Sequence, residues 1–402
     1  MDRSAFSNNK AAQFVMNSER CWSFVPPALP PTIKATWDLA RETSEADRRL
    51  SELAGTARTL PNPHLLIGPF SRREAVLSSK IEGTVASLSD LMSYEALGNS
   101  GVHNRSDVHE VANYVKALEY GLKRVAELPV SLRLMRELHE RLMTGARGGE
   151  LTPGEFRARQ NWIGDPGCKI TDATYVPPPV VEMTTALGEL EKYIHAASDL
   201  PPLVRMAILH YQFEAIHPFV DGNGRIGRLL ITLMLVTEGL LPQPLLYLSA
   251  FFERHRSEYY RLLLEVSQEG RWTDWIIFFL RGVAEQAEDA VVRANKLQKL
   301  SSEYREQLLS VRASTALLKL TDHLFNRPVM TVQSAQTILN HSQPSAQHNI
   351  DRLVKEGILQ EITGKQRGRV YLAARIMAIV EDREVQQLPL KFGRPTSSSQ
   401  RA

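Results

Sequence analysis

The sequence predicts a mainly α-helical protein with one short β-hairpin and a small separate module near its C-terminus. Apolar residues recur at helical spacing through most of the chain between residues 33 and 312. Glycines and prolines cluster between residues 150 and 179, where we expect loops and the hairpin. Beyond residue 312, two short helical stretches are followed by two strand-like ones. We therefore expect a helical core followed by a mixed module.

The composition is that of an ordinary globular protein. The chain has 402 residues, 43% of them hydrophobic and 23% charged, which suggests about two to three domains. The net charge of +3 does not by itself indicate a nucleic-acid partner. Cys21 and Cys168 do not form a disulfide framework, and no apolar run has the length of a membrane helix. We therefore expect a cytoplasmic protein without a signal peptide or a membrane anchor.

Changes in pattern divide the chain into five expected parts. The first 34 residues are polar and then proline-rich, and we expect them to form an extended arm. Segment 284–312 is charged, amphipathic and free of helix breakers, which indicates a connecting helix. The expected parts are an N-terminal helical region at 1–115, a core at 116–285, the connecting helix at 286–312, a small module at 313–378 and a disordered tail at 379–402.

Start and stop signals define the expected helices. Segment Phe70–Thr84 begins with Ser71 as a possible N-cap and Glu74 three residues later, and it ends at Gly83. Two helical patterns between residues 107 and 145 are separated by Pro129. Further helices are expected at Val180–Ala197, Pro202–Ile216, Arg225–Glu238 and Ser249–Glu269, and from Thr273 onward.

The stretch HPFVDGNGRIGR, residues 217–228, combines five chemical roles within twelve residues. His217 is a base that titrates near neutral pH, and Asp221 is a suitable oxygen ligand for Mg²⁺. Two close-spaced glycines precede a helix N-terminus, whose unpaired N–H groups favour a phosphate. Arg225 and Arg228 can neutralise phosphate charge from the first turn of that helix. Together these residues suggest phosphate chemistry on a nucleotide.

Simpler interpretations exist for each residue alone. A histidine before a proline is usually an ordinary loop residue, a DG or GNG sequence is usually a turn, and two arginines can form a solvated face. The chain contains no G-x-x-x-x-G-K-[ST] sequence, so a P-loop is excluded. His210 and His217 have no third ligand at metal spacing, which argues against a zinc site.

The stretch closely resembles the signature of the Fic (filamentation induced by cAMP) family, H-P-F-x-D-G-N-G-R-x-x-R, and every specified position matches. The resemblance extends over about residues 70–285. It implies a protein adenylyltransferase with a Fic helical core, which transfers AMP from ATP to a Ser, Thr or Tyr hydroxyl of a protein. By this resemblance His217 would deprotonate the hydroxyl, Phe219 would anchor the loop and Asp221 would hold Mg²⁺. The implied nucleotide-binding residues are Gly222, Asn223, Gly224, Arg225, Ile226, Gly227 and Arg228.

Segment Ser78–Gly83, SSKIEG, resembles the inhibitory motif [ST]-x-x-x-E-[GN] of Fic proteins that carry an N-terminal brake. By this resemblance Glu82 would pair with Arg228 and prevent productive placement of the γ-phosphate, with Ser78 as part of the motif. A capped surface helix with an exposed Glu82 is the alternative. A further alternative is that Glu82 orients a water molecule to remove AMP from a modified protein.

Segment Cys168–Pro179, CKITDATYVPPP, matches the hairpin that clamps a target segment in this family, and we call it the flap. A surface loop that ends in prolines is the alternative. Tyr259 and Tyr260 follow at helical spacing and are candidates for stacking on adenine, Tyr260 above all. Aromatic residues at this spacing more often belong to a hydrophobic core.

Residues 313–378 resemble a winged helix-turn-helix domain. Helices are expected at Val332–Leu339 and Ser345–Glu356, followed by the strands ILQEI and VYL. The segment contains eight Lys and Arg against four Asp and Glu, and Lys365, Arg367 and Arg369 form a basic wing. The expected partners are a protein target, which can be the chain itself, DNA through the wing, or a second copy in a homodimer; a membrane is not expected. A nucleotide-responsive DNA-binding regulator is the alternative function.

Overall fold

The computed structural model of the chain describes residues 3–6, 8–59, 64–97, 105–145, 152–364 and 368–383. This part of the chain is mainly helical, as predicted, with two small antiparallel sheets. It forms two compact units, each discontinuous in sequence. Unit 1 comprises Met1–Ala57, Leu77–Thr84 and Asn113–Asp289, and unit 2 comprises Arg58–Val76, Val85–Ala112 and Ala290–Ala402. The bounds of the five parts expected from the sequence remain a prediction.

The helices that precede the C-terminal module lie close to the positions expected from the sequence. They are α1 (Trp37–Thr59), α2 (His64–Ile81), α3 (Leu88–Leu97), α4 (Arg105–Arg124), α5 (Leu132–Met143), α6 (Val180–His195), α7 (Pro202–Ile216), α8 (Asn223–Thr237), α9 (Ser249–Arg254), α10 (Arg256–Glu269) and α11 (Trp272–Ser310). Among these helices, α7 has the bounds that the sequence predicted.

Two predicted helices have a different continuity in the structure. The stretch Ser249–Glu269 is divided into α9 and α10 at His255, whose φ of −107° and ψ of 33° leave the helical region. The expected connecting helix does not begin a new element, because α11 runs without a break from Trp272 to Ser310. Amphipathic periodicity persists across residue 284, so the sequence contains no signal for a boundary there.

The prediction that Ser71 caps a helix beginning at Phe70 is wrong. Helix α2 begins at His64 and contains Pro69. The hydroxyl of Ser71 donates to the carbonyl of Gly68 at 2.9 Å, so Ser71 lies inside the helix and caps nothing. Proline lacks an N–H and usually ends a helix, which is why the sequence pattern indicated a start after it. The predicted stop is confirmed, since α2 ends at Ile81 and Gly83 has a φ of +94°.

The N-terminal arm contains regular structure that the sequence analysis did not predict. A 3₁₀ turn at Arg3–Phe6 is followed by β1 (Gln13–Met16) and β2 (Trp22–Val25), which pair in antiparallel register with Phe14 opposite Phe24. The Phe24 N–H donates to the Val176 carbonyl at 2.9 Å. Burial of Phe24, which is 0% exposed, depends on a segment more than 150 residues away, so local sequence does not reveal it.

The flap region forms less hairpin than predicted. Ile163 and Tyr175 form an isolated antiparallel bridge with reciprocal N–H···O bonds of 2.8 and 3.1 Å. Between them lies a 3₁₀ turn at Ile170–Asp172. Tyr175 is buried and its hydroxyl donates to the Ala215 carbonyl in α7 at 2.8 Å. The base of the flap is therefore attached to the end of α7.

Helices α7 and α8 form the centre of unit 1. They pack against each other, with α6 and α10 against α7 and with α5 against α8. Nearly all residues of both helices are buried. This burial fits the sequence, because a helix that is apolar nearly all round has no face suited to water. The loop that joins them is thus held between two buried helices.

In unit 2, the C-terminal module contains α12 (Thr315–Asn326), β3 (Val329–Thr331), α13 (Val332–Leu339), α14 (Gln343–Lys355), β4 (Gln360–Glu361), β5 (Val370–Leu372) and α15 (Ala374–Glu381). The strands form an antiparallel sheet in the order β3-β5-β4. The order α13, α14, β4, β5 is that expected from the sequence, whereas α12, β3 and α15 were not predicted. The winged-helix assignment remains a prediction. Lys365, Arg367 and the tail beyond residue 383 lie outside the described residues, and α15 occupies the first three positions of the expected tail.

Among the helices that the structure describes, none combines the length and the apolar character that a membrane crossing requires.

Candidate active site

His217 ends α7 and faces the loop that leads into α8. It adopts a left-handed conformation with φ of 50° and ψ of 60°, and its N–H caps the helix by donating to Phe213. Its Nδ1 lies 3.2 Å from the Glu214 carbonyl oxygen. Because a carbonyl only accepts hydrogen bonds, Nδ1 carries the proton and Nε2 presents its lone pair. Burial lowers the pKa of His217 to about 4, so the imidazole is neutral at physiological pH.

The loop after His217 is fixed by its own side chains. Phe219 is fully buried, and its N–H and C=O both bond the amide of Asn223, at 2.8 and 2.9 Å. The side chain of Asn223 is therefore used to close the loop. Ile226 is also fully buried, and Gly227 lies against Glu214 of α7. Anchoring of the loop by Phe219 agrees with what the resemblance implied.

The loop turns into α8 at Gly222, which has a φ of +79° that other residues adopt only with strain. The N–H of Gly222 donates to Asp221 Oδ1 at 2.6 Å. The first N–H groups of α8 have no partners within the helix and point toward the position an anion would occupy. A Cβ atom on Gly224 would collide with Oε1 of Glu82 and lie 2.9 Å from Nη1 of Arg228. Glycine at this position thus allows a carboxylate to approach the helix N-terminus.

Arg225 is buried beside the loop. Its Nη2 lies 3.2 Å from Oδ2 of Asp221 and 3.8 Å from the sulfur of Met143. The carboxylate of Asp221 is itself 53% exposed, so one side faces the arginine while the other is open to solvent. The predicted cation and the predicted metal ligand are therefore brought together as an ion pair.

Arg228 is buried and bonds the end of α2. Its Nε donates to the Ser78 hydroxyl and its Nη2 to the Ser78 carbonyl, both at 2.9 Å. Nη2 also donates to Oε1 of Glu82 at 2.6 Å. Burial acts to lower the pKa of Arg228, but the acidic groups that face it, Glu82 foremost, turn the net shift upward. Two segments 146 residues apart in sequence thus meet in one charge-assisted cluster.

Glu214 is a second carboxyl group near Arg228, beside Glu82. Burial raises its pKa to about 8; Arg228 acts to lower it and Glu82 acts to raise it. Its buried Oε1 accepts no hydrogen bond from the described residues. At neutral pH the side chain is therefore mostly protonated, and it adds little negative charge that would repel a phosphate.

The two candidate tyrosines have different environments. Tyr259 is 1% exposed and lies 2.9 Å from Nε2 of His210 through its hydroxyl, so it belongs to the core. Tyr260 is 41% exposed, and its hydroxyl lies 3.5 Å from the Ile81 carbonyl oxygen at the end of α2. Of the pair, Tyr260 alone has a face available for a ligand.

His139 of α5 contributes to the site although the sequence analysis did not single it out. Its ring stacks on Phe219 with centroids 3.8 Å apart and an interplanar angle of 7°. Nδ1 accepts from the Gly154 N–H at 3.0 Å, so Nε2 carries the proton and donates to the Asp221 carbonyl at 3.0 Å. Burial lowers the pKa of His139 to about 4, which keeps this tautomer neutral. A lone histidine in an amphipathic helix carries no sequence signal for such a role.

Arg157 and Asn161 also hold the loop. Arg157 is 1% exposed, its N–H donates to the Pro218 carbonyl at 2.9 Å, and its Nε donates to the His217 carbonyl at 3.0 Å. Asn161 Nδ2 donates to the Phe219 carbonyl at 3.0 Å. These partners are backbone oxygens that tertiary folding brings into reach, so no spacing rule could have found either residue.

The side chains near the loop suit a metal ion that arrives bound to a nucleotide better than one held permanently by the protein alone. Among the described residues, no group of three or more His, Cys, Asp or Glu side chains could hold a metal. Asp221 supplies one exposed carboxylate. Mg²⁺ is commonly bound by one or two carboxylates together with substrate phosphates and water. The residues present therefore fit a magnesium ion carried by a nucleotide phosphate.

Comparisons with known proteins agree with this geometry. Residues 40–123 match the family model described as Fic/DOC family N-terminal, and residues 129–235 match that described as Fic/DOC family. Proteins named protein adenylyltransferase Fic are similar: that of Drosophila virilis is 30% identical over 168 residues, 40% of this chain and 30% of that protein. That of Drosophila sechellia is 28% identical over 238 residues, 56% of this chain and 44% of that protein. The chain thus spans less than half the length of these relatives.

Solved structures support the same fold. A Fic family protein from Desulfovibrio desulfuricans G20 has a TM-score of 0.53 at 18% identity, over 85% of this chain and 98% of that one. Fic-1 from C. elegans has a TM-score of 0.51 at 23% identity, over 65% of this chain and 74% of that one. Residues 40–123 and 129–235 thus carry the two domains of the Fic/DOC family.

Proposed function

We propose that this protein transfers AMP from ATP to a Ser, Thr or Tyr hydroxyl of a protein. The observation that carries the proposal is the arrangement at the α7–α8 loop. A neutral His217 with an available Nε2 lies at the end of one helix, six residues before the first residue of the next, whose N-terminus suits an anion. The names of the relatives from the two Drosophila species support the same activity.

In the proposed step, Nε2 of His217 takes the proton of the target hydroxyl while its oxygen attacks the α-phosphorus of ATP. A new oxygen–phosphorus bond forms, the bond from the α-phosphorus to the bridging oxygen breaks, and pyrophosphate leaves with that electron pair. The N–H groups of the loop and of the first turn of α8 stabilise the phosphate oxygens. Such a reaction requires positioning and charge stabilisation more than covalent participation by the protein.

Asp221 would hold the Mg²⁺ that accompanies the triphosphate, and that ion would neutralise charge on the phosphates. Arg225 supports this role, because its contact with Oδ2 directs the carboxylate. Arg228 would bind the terminal phosphates once it is free of Glu82. Tyr260 is 41% exposed and is the candidate for stacking on adenine.

Transfer of the α-phosphate can be measured directly. Purified protein that carries Glu82→Gly is incubated with ATP labelled at the α- or the γ-phosphate, with and without magnesium. We expect protein-bound label from α-labelled ATP, none from γ-labelled ATP, and a strong dependence on magnesium. Label from the γ-phosphate would make the protein a kinase instead. His217→Ala in the same background is the control, and undiminished labelling by that variant would exclude histidine as the base.

We further propose that Glu82 inhibits the enzyme. Its carboxylate lies against Gly224 in the first turn of α8 and bonds Arg228, so it takes both the space and the cation that the γ-phosphate would use. A carboxylate at this position also repels a triphosphate. The proposal agrees with the inhibitory motif recognised in the sequence.

The brake can be tested against a matched change on the same helix. Glu82→Gly should raise AMP transfer by at least about tenfold, because a hydrogen bond between charged groups contributes about 1.5–3 kcal/mol. Lys80 lies two residues away and forms a surface ion pair with Glu253 at 2.7 Å. Lys80→Ala should change transfer by less than about fivefold, since such pairs contribute at most about 1 kcal/mol. Equal effects of the two substitutions would mean that Glu82 has no specific inhibitory role.

The target protein, DNA binding through the C-terminal module and dimer formation remain predictions from the sequence. Within the described residues, the flap pairs with the preceding chain through one bridge, between Ile163 and Tyr175. We propose that a target segment adds to the flap as a further strand, and a structure of the complex with a target peptide would test this.

A further inference from the structure

Arg157 is a buried cation without a carboxylate partner in the described part of the chain. It is 1% exposed, and burial lowers its pKa to about 10, so it remains charged at neutral pH. An unpaired buried charge is costly, and an apolar residue of similar volume would usually serve stability better. Charge pairing therefore does not explain an arginine at this position.

The partners of Arg157 supply the explanation. Its Nε donates to the His217 carbonyl at 3.0 Å, and its Nη2 donates to the Pro178 carbonyl at 2.5 Å. Its Nη1 donates to the Arg159 carbonyl at 3.2 Å. His217 is the proposed base and Pro178 lies at the end of the flap. One rigid guanidinium group thus donates to the backbone carbonyl of His217 and to that of Pro178 in the flap at the same time.

The planar fork of arginine fixes the directions of its N–H groups, whereas the ammonium group of lysine is a flexible point donor. The second link between flap and α7 is the Tyr175 hydroxyl bond to Ala215. That bond reaches α7 two residues before His217, so it restrains the flap without contacting the base itself. Arg157 reaches the His217 carbonyl directly at 3.0 Å, and Asn161 Nδ2 makes a longer contact of 3.4 Å to the same oxygen.

We propose that Arg157 is a positioning residue that holds the flap at a set distance from His217, so that AMP passes to a protein hydroxyl instead of to water. The inference rests on the proposed transfer of AMP. It assigns to Arg157 no contact with ATP, because the nucleotide is expected at the N-terminus of α8. A displacement of about 1 Å in a reacting group can reduce a rate by about a hundredfold, so a small movement of the flap would suffice.

The test compares Arg157→Lys with Arg205→Lys, both in the Glu82→Gly background. Arg205 is the matched control, because its Nη2 also donates to backbone carbonyls, those of Tyr193, Ile194 and Ala196. Arg205 lies on α7 twelve residues before His217, roughly 18 Å along the helix. Both substitutions keep the charge and remove the fork.

Two readouts are measured on each folded variant, whose thermal unfolding is checked first. The first readout is the fraction of AMP from α-labelled ATP that becomes attached to protein, as against the fraction released as free AMP. The KM for ATP is measured in the same experiment. For Arg157→Lys we expect protein labelling to fall at least about tenfold, free AMP to account for a larger share of turnover, and the KM for ATP to change less than about threefold. Arg205→Lys should leave the division unchanged.

The second readout is hydrogen exchange at the Ile163 and Tyr175 amides, which reports on the flap without any chemistry. We expect exchange at least about tenfold faster in Arg157→Lys and unchanged in Arg205→Lys. Unchanged exchange and an unchanged division of AMP in folded Arg157→Lys would overturn the inference. Absence of labelling in the Glu82→Gly parent, with faster exchange in Arg157→Lys, would overturn the proposed function and leave the link between Arg157 and the flap standing. If Arg157→Lys does not fold, Arg157→Met replaces it, because an apolar side chain of similar volume needs no charge partner; unchanged exchange and an unchanged division in that variant would overturn the inference.

Discussion

Oε1 of Glu82 lies 2.6 Å from Nη2 of Arg228 and against the backbone of Gly224, in the first turn of α8. The same arginine also bonds the hydroxyl and the carbonyl of Ser78 at 2.9 Å. The end of α2 therefore binds α8 through three separate hydrogen bonds. Release of Arg228 requires all three to break, so removal of one of them should weaken the inhibition only in part.

Ser78→Ala should activate the enzyme less than Glu82→Gly does. The substitution removes one hydrogen bond to Nε of Arg228, worth about 1 kcal/mol, or about fivefold in an equilibrium constant. The carbonyl of Ser78 and the Glu82 carboxylate continue to hold the guanidinium. Initial rates of AMP transfer for the two variants check this order. Activation by Ser78→Ala that matches that of Glu82→Gly would show that the contacts act as one unit.

Gly224→Ala should abolish AMP transfer even in the Glu82→Gly background. A methyl group there would occupy the space beside Arg228 Nη1, where the phosphate is expected to bind. We expect ATP binding, measured by calorimetry, to weaken by at least about tenfold, since a group at the phosphate position clashes with the ligand. Gly188→Ala is the control: a Cβ atom on Gly188 meets nothing within 4 Å, and ATP binding should be unaffected.

The pH dependence of transfer should be flat across neutrality. Burial lowers the pKa of His217 to about 4, so the base is already deprotonated at pH 6.5 and gains nothing at pH 7.5. A histidine with the ordinary pKa of about 6.5 would be half protonated at pH 6.5 and would lose about half its activity. The ratio of kcat/KM at these two pH values in Glu82→Gly should therefore lie near one. A ratio near one half would contradict the shifted pKa.

Stability should fall as the pH drops below about 6.5, where an unfolded histidine gains a proton. Burial lowers the pKa of His139 to about 4 and that of His210 to about 3, so both stay neutral in the folded state. The unfolded chain binds more protons between these values, and acid therefore favours it. At pH 5.5 each histidine should cost about 1.4 kcal/mol relative to pH 7.5.

Urea unfolding of the parent and of His210→Gln at pH 7.5 and 5.5 measures this dependence. The variant should lose about 1.4 kcal/mol less than the parent over this range, because glutamine does not titrate. An identical loss in both proteins would mean that His210 takes up its proton in the folded state as readily as in the unfolded one.

Local sequence was sufficient to predict several parts of the site. The apolar periodicity of 202–216 and the proline after His217 predicted α7 and its end, and both are confirmed. The glycines of DGNG predicted a turn into a helix N-terminus, because positive φ and close backbone approach require glycine. The start of α2 and the hairpin of the N-terminal arm were mispredicted or missed, since Pro69 looked like a helix boundary and Phe24 is buried by a distant segment.

Residue type and spacing along a few turns of chain determined where the base, the acid, the glycines and the arginines of the 217–228 stretch lie. Tertiary structure decided what holds them: His139 beneath Phe219, and Arg157 on the carbonyl of His217. The first contact is made to a ring face and the second to a backbone oxygen, and neither group specifies in the sequence which residue will reach it. Which residue reaches them depends on the packing of helices far apart in the chain, and spacing rules do not encode that packing.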